Sequence, residues 1–285
     1  MPADPERFSL SAKTGPKETG MRLDQAAAAL FPDFSRARLQ KWIRDGSLTV
    51  DGRSARPTYR VGGSEVLRLE AEVEGQGVVR PQDIPLDVIH AEEDLLVLNK
   101  PAGLVVHPAA GHPDGTLQNA LLFHDSRQDR LPRGGIVHRL DMDTSGVMVV
   151  ARSLRAHSSL VEQLQERKMS RVYRAVAAGV VGRGGSVNAP IGRHPQNRKK
   201  MAVVPSGKSA VSHYRVLEDL AVATYLEVSL ETGRTHQIRV HMAHAGHPLV
   251  GDKVYGRPLK PGKAISETAR EAIACFPRQA LHAHR

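Results

Sequence analysis

The sequence is poor in aromatic residues, which make up 4% of its 285 positions, and it holds a single cysteine, Cys275. So few rings argue against an RNA platform built from stacked aromatics. One thiol excludes an intrachain disulfide and fits a reducing compartment. No run of eighteen or more apolar residues occurs, and the opening stretch MPADPERFSLSAKTGPKETG has no apolar signal core. A cytoplasmic protein without a membrane-spanning helix is expected. Metal and nucleotide motifs are missing too. His236, His241, His244 and His247 do not form HExxH and have no companion cysteine, so no metal is expected; caps, core hydrogen bonds or surface positions are their ordinary roles. No Gly-rich loop fits a phosphate- or dinucleotide-binding pattern.

Acids are outnumbered: 30 Asp and Glu stand against 40 Lys and Arg, for a net charge of +10 and a pI near 10.0. That balance favours a polyanionic partner, with a merely soluble basic surface as the alternative. The length and 40% hydrophobic content can furnish one sizeable domain and a small one.

Taken in order, residues 1–18 are polar, contain proline and lack periodicity, which predicts a flexible tail. A small unit over residues 20–69 follows. Leu23, Ala26, Ala27 and Leu30 recur at helical spacing up to Pro32-Asp33. Ser35 is placed to cap a second helix that ends at Gly46, with Leu39, Trp42 and Ile43 on its apolar arc and Arg36, Arg38, Gln40, Lys41 and Arg44 on the rest. Strand-like Leu48 to Val50, an Asp51-Gly52 turn and the run Glu65 to Leu69 complete it. Residues 70–84 are acidic and aperiodic, a predicted linker. Residues 85–285 form the larger domain. Leu86 to His90 and Leu95 to Leu98 are expected as short buried strands, Thr116 to Phe123 as a short helix, and Ser153 as the cap of a helix buried through Leu160, Val161 and Leu164. Val172 to Ala178 and Ala221 to Leu230 are strand-like, and a helix is expected from Thr235 to His244, closed by Gly246. The loop Arg193 to Lys200 is basic, open to either solvent or RNA.

The centre of the chain is GIVHRLDMDTSGVMVV, Gly135 to Val150. Two apolar runs flank a polar knot holding His138, Arg139, Asp141 and Asp143, with Thr144-Ser145-Gly146 as a tight turn. A turn pinned between buried strands can hold side chains rigidly at a cleft. An isolated Asp-x-Asp is ordinarily just a pair of turn carboxylates, but the longer string is specific.

HRLDMDTSG resembles the catalytic motif of the RluA/RluD-type pseudouridine synthases. NKPAGLVVHP from Asn99, SRVYRAVAAG from Ser170 and LETGRTHQIRVHMAHAGHPLVGDKVYG from Leu230 resemble further blocks of that family, in the same order. MRLDQAAAALFPDFSRARLQKWIRDGSLTVDG resembles the S4 RNA-binding domain. The resemblance implies an α+β protein: a small S4-like unit, then a catalytic domain with a mixed, largely antiparallel β-sheet. It implies isomerisation of specific uridines of 23S ribosomal RNA to pseudouridine, by a monomer without membrane attachment. Neither redox chemistry nor hydrolysis occurs in that reaction, so no cofactor is expected. By resemblance Asp141 is the catalytic carboxylate, Arg234 orients it and keeps it charged, and Arg139 enters the gap left by a flipped nucleotide. Tyr173 then lies against the uracil, with a further role as a base left open because a phenol's reference pKa is near 10. The helix bearing Arg36, Arg38, Lys41 and Arg44 lies on RNA phosphates. An assembly factor that binds RNA without catalysis, or a synthase acting on another RNA such as tRNA, remains the alternative. The sequence departs from the family after RQALHA: relatives continue with further strands where this chain stops at Arg285. Absent strands would leave sheet groups unpaired, so low stability and association are expected.

Overall fold

A computed structural model of the chain describes residues 6–31, 34, 36–73, 79–109, 111–256 and 266–285, without the side chains of residues 6–8, 37, 38, 72 and 73. The expected stop at Pro32-Asp33, the Ser35 cap and the middle of the predicted linker lie outside the described residues. The chain divides into two compact units, residues 1–78 and 79–285.

The apolar spacing of the first unit produces two helices, α1 (Leu23–Leu30) and α2 (Arg36–Asp45), on a three-stranded antiparallel sheet of β1 (Glu6–Lys13), β2 (Leu48–Val50) and β3 (Val66–Val73), ordered β1-β3-β2. Leu23, Ala26 and Ala27 of α1 bury against Leu39, Trp42 and Ile43 of α2 and Leu48, Leu67 and Leu69 of the sheet. Gly46 ends α2 with φ +85, a left-handed turn that costs a glycine little. Two expectations need correction. Residues 6–13 of the predicted tail are strand β1, whose backbone pairs along the whole of β3 from Glu6↔Val73 to Lys13↔Val66. The backbone ladder runs its full length, with Ser9, Leu10 and Ser11 exposed and Ala12 packed against the core of the unit. Second, residues 70–73 of the predicted linker continue β3, and the linker's far end joins the second unit. There Gln82 donates its N–H to the Asn119 carbonyl and accepts from Gly115 N–H, while the Asn119 amide donates to the Arg80 carbonyl.

The second unit is built on an eight-stranded sheet. Its elements, in order, are β4 (Val88–Ala91), β5 (Leu95–Lys100), α3 (Leu117–His124), β6 (Ser145–Ala151), α4 (Leu154–Gln165), β7 (Val172–Ala178), β8 (Gly185–Asn188), the hairpin β9 (Ile191–Arg193) and β10 (Met201–Val203), β11 (Val211–Asp219), β12 (Ala223–Leu230), α5 (Gln237–His244), α6 (Glu267–Ala274) and β13 (Leu281–Ala283). The sheet order is β4-β5-β6-β13-β7-β12-β11-β8. All neighbours are antiparallel except β13, which runs parallel to β6 and antiparallel to β7. The fold is α+β with a mixed, largely antiparallel sheet. Edge strand β4 is mostly exposed, contrary to its reading as buried.

Two caps behave as their sequences dictate. The Ser153 hydroxyl accepts from Ala156 N–H at the start of α4, and Thr116 and Asn119 form a reciprocal capping box on α3. Alternate residues of β5 and β6, Leu96, Leu98, Met148 and Val150, bury into one core with Leu226 and Val228 of β12 and Ile238 and Met242 of α5. The tight turn lies earlier than predicted, with Met142 and Asp143 at its centre. Thr144 N–H bonds the Asp141 carbonyl at 3.0 Å, and Ser145 already belongs to β6. Gly146 is needed by β13: at φ +121, an added Cβ would stand 2.1 Å from the Ala283 carbonyl oxygen.

Candidate active site

The Asp141–Thr144 turn is held from three sides. From β5 comes Lys100, fully buried, whose ammonium donates to the carbonyls of Pro101 (2.6 Å), Leu104 (2.9 Å) and Met142 (2.9 Å). Burial pushes its pKa down to about 8, against the pull of Asp143 and Asp141. Gly103 N–H also bonds the Met142 carbonyl at 2.9 Å. From the segment before β13, Arg278 donates to the Asp143 carbonyl and the Ser145 hydroxyl, and the Gln279 amide donates to the Thr144 hydroxyl. The carboxylate at the head of this turn therefore stands on a fixed backbone.

Asp141 meets Arg239, not Arg234. The Arg239 Nη1 donates to Asp141 Oδ2 at 2.9 Å, while its Nε and Nη2 clasp Asp252 at 2.7 and 3.0 Å. Asp252 also accepts from Val254 and Tyr255 N–H at 2.8 and 3.0 Å. Burial alone would push the Asp252 carboxyl up; the guanidinium and these amides hold it below its ordinary value. The same two carboxylates overcome burial to raise the pKa of Arg239. Its guanidinium also lies 5.1 Å from the Tyr255 ring centroid. Arg234 fails to reach because it precedes α5: its Nε donates to the Ser209 carbonyl at 3.1 Å, and its N–H bonds the Gln237 side chain. The sequence sets Arg239 between Ile238 and Val240, but that this stretch of α5 is buried, so that its cation requires a buried partner, is a fact of the fold.

Helix α5 begins two residues later than predicted because His236 adopts φ +56, a left-handed conformation. This turns its ring toward the cleft. Its Nε2 lies 3.8 Å from Asp141 Oδ1 and its Nδ1 lies 2.8 Å from the Tyr255 hydroxyl. Of the other histidines, His241 bonds the Ser212 hydroxyl and the Ala189 carbonyl, and His247 the Ala178 carbonyl. Among the described residues no group of three or more His, Cys, Asp or Glu is placed to hold a metal ion.

Asp141 opens into a cleft of about 540 Å³ walled by Arg133, Arg139, Arg167, Arg171, Arg234 and Arg239. Glu231 is the other acid on that wall, so the lining carries a large excess of positive charge. Arg139 is exposed and makes no hydrogen bond or ion pair among the described residues. Tyr173, 9% exposed, lies on the same wall. Burial pushes its phenol up to about 12, with Arg171 opposing, which disfavours the phenolate a base would need. His138 is neutral: burial lowers it to about 4, and its Nε2 accepts from Val149 N–H at 3.2 Å.

In the first unit Arg36 is not free. Its guanidinium, together with Arg22 and Gln40, closes around Asp24, which is fully buried in the first turn of α1. Burial raises the Asp24 carboxyl, and these three partners outweigh it and hold the group well below the carboxylate range. Lys41 is exposed; Arg44 is exposed and donates to the Gln40 side-chain oxygen at 3.3 Å. The side chain of Arg38 lies outside the described residues.

The family model described as RNA pseudouridylate synthase matches residues 94–244, and that of the S4 domain matches residues 21–67. The chain is 58% identical over 264 residues to ribosomal large subunit pseudouridine synthase D of Pseudomonas aeruginosa, covering 93% of this chain and 82% of that protein. The protein of the same name from Escherichia coli K12 is 51% identical over 279 residues, 98% of this chain and 86% of the relative. Among solved structures, human RNA pseudouridylate synthase domain containing 1 superposes with a TM-score of 0.53 at 28% identity, over 71% of this chain and 78% of that one. Human RNA pseudouridylate synthase domain containing 4 gives 0.52 at 26% identity, over 69% and 82%.

Proposed function

The chain belongs to the RNA pseudouridylate synthase family and carries an S4 domain, and from that membership we propose that it isomerises specific uridines of large-subunit 23S ribosomal RNA, with Asp141 as the catalytic carboxylate. The observation that carries this reading is the Asp141 carboxylate at a cationic cleft, with Oδ2 held by Arg239 and Oδ1 without a hydrogen bond among the described residues. A free carboxylate oxygen on a rigid turn suits attack at the ribose or removal of a proton from it. The bond from C1′ to N1 breaks, the uracil turns, and a bond from C1′ to C5 replaces it. C5 gives up its proton and N1 gains one, so the reaction consumes no oxidant, reductant or water.

A base stacked in a stem cannot be turned, so the nucleotide is flipped out at a cost of roughly a few kcal/mol. Arg139, planar and unpaired, fills the gap by stacking and by bonding phosphate. The buried face of Tyr173 lies against the uracil as a protonated phenol. Arg234 and its neighbours on the wall take the backbone phosphates, and Lys41 and Arg44 supply further contacts from the first unit. The names of the relatives support ribosomal RNA as the substrate.

The test is incubation of the purified protein with large-subunit RNA and, separately, tRNA, each labelled with tritium at uridine C5. Release from the ribosomal RNA is expected. Binding without release from either RNA would make this a noncatalytic assembly factor, and release from tRNA alone would move the substrate.

A further inference from the structure

His236 sits beside the reacting carboxylate, yet nothing above gives it a task. Its backbone is in the left-handed region, tolerated by few residue types other than glycine, asparagine, aspartate and histidine. Strain of this kind persists where surroundings impose it. Here they do: the ring packs edge-on against Tyr255 with centroids 5.7 Å apart. With the Tyr255 oxygen already accepting from Met201 N–H at 2.9 Å, we assign the hydroxyl hydrogen to His236 Nδ1 at 2.8 Å. A neutral ring that accepts at Nδ1 carries its proton at Nε2. That N–H stands 3.8 Å from Asp141 Oδ1, beyond hydrogen-bond range, so it remains available to whatever enters beside the carboxylate.

Resting on the isomerase reading above, we propose that His236 is a further catalytic residue: its Nε2–H donates to a uracil carbonyl oxygen as the C1′–N1 bond breaks, and Tyr255 is the positioning residue that fixes its tautomer. When that bond breaks, its electron pair stays with the uracil and spreads over N1 and the carbonyl oxygens, while Asp141 Oδ1 engages the ribose. A fixed donor aimed at that charge stabilises it without moving a proton. Of the other donors nearby, Arg239 is committed to two carboxylates and Arg234 Nε to the Ser209 carbonyl, while Arg139, unbonded on the same wall, is assigned above to the gap left by the flipped nucleotide.

Burial favours the neutral ring and holds the imidazole below its ordinary value; Arg239 and Arg139 act the same way, while Asp141 and Asp252 pull upward. Protonation at Nδ1 would force the Tyr255 hydroxyl to turn its hydrogen away and accept instead, and would make the ring an ion-pair partner of Asp141 Oδ1. Activity therefore falls on the acid side as His236 is protonated.

Three variants test this by single-turnover tritium release, RNA binding and thermal melting. His236→Asn keeps a residue suited to the left-handed backbone but is too short to reach. It should lower the single-turnover rate about 10- to 100-fold, with RNA Kd and melting midpoint unchanged. His236→Gln returns an N–H near the lost Nε2, and should recover part of the rate with a flat acid limb. Tyr255→Phe should move the acid limb to higher pH, since Nδ1 loses the donor that opposed its protonation. Rates within twofold of wild type for His236→Asn, loss of binding or melting in proportion to rate, or an unmoved acid limb in Tyr255→Phe would each overturn the proposal. A wild-type protein that releases no tritium overturns the isomerase reading and this proposal with it; an active wild type with an equally active His236→Asn variant overturns this proposal alone.

Discussion

Replacing Arg239 by methionine removes the one cation that both carboxylates share while keeping much of the side-chain volume, so the effect is electrostatic more than a cavity. Asp252 has a side chain only 1% exposed and would keep just the Val254 and Tyr255 amides. Stranding a buried charge in this way costs roughly 3–5 kcal/mol. For a domain of this size each kcal/mol moves the melting midpoint by about 2–4 °C, so a drop of roughly 6–20 °C is expected at neutral pH. The pH dependence reverses in sign. In the wild type the folded pKa of Asp252 lies below its unfolded value, so its contribution is present above the unfolded pKa and fades as pH falls. Without Arg239, burial is opposed only by the two amides and the folded pKa rises. The penalty is then largest at neutral pH and shrinks as acid protonates the group. Adding Asp252→Asn should restore most of the lost midpoint by removing the stranded charge, but not the activity, because Asp141 still lacks its partner. Calorimetry from pH 5 to 7.5 and tritium release read the two effects separately. A melting midpoint within 2 °C of wild type for Arg239→Met, or no relief from Asp252→Asn, would refute the view that this arginine holds a buried carboxylate pair.

Two further outcomes follow from other parts of the fold. Gly146→Ala drives a methyl group to 2.1 Å from the Ala283 carbonyl and strains a backbone at φ +121, which should cost roughly 3 kcal/mol in thermal unfolding; a cost under 0.5 kcal/mol would mean that β13 does not press on β6. Lys41→Gln with Arg44→Gln should weaken RNA binding and reduce the slope of log K against log salt by about 1–2, leaving the single-turnover rate at saturating RNA intact; an unchanged slope would make α2 an ordinary solvated face.

What was legible in the sequence was mostly local. Ser153 and Thr116 cap the helices they precede, and the apolar spacing of α1 and α2 marks their buried faces. HRLDMDTSG identified the carboxylate turn because a fixed string of residue types carries more information than any one of them. Errors arose where long-range geometry decides. Arg234 and Arg239 are both arginines near one helix start, and only the fold shows that Arg234 precedes α5 and turns to Ser209 while Arg239 on the helix reaches Asp141, 98 positions away in sequence. Arg36 lies on the outward arc of its helix, yet the buried Asp24 of α1 draws it in. Strand β1 does alternate over Phe8, Ser9, Leu10, Ser11 and Ala12, but the run is short and follows a polar, proline-containing start, and its partner β3 lies far along the chain. The left-handed His236 had no periodic signature at all.

The central claim is that one carboxylate, Asp141, performs the isomerisation. Asp141→Asn keeps the side chain's shape while removing its charge and its nucleophile. It should be compared with wild type in single-turnover tritium release from C5-labelled large-subunit RNA, with RNA binding measured in parallel. The account predicts no detectable release by the variant and RNA affinity within a few-fold of wild type. Release by Asp141→Asn at more than a small fraction of the wild-type rate would contradict it and shift the chemistry to another group, with Asp143 the first to examine.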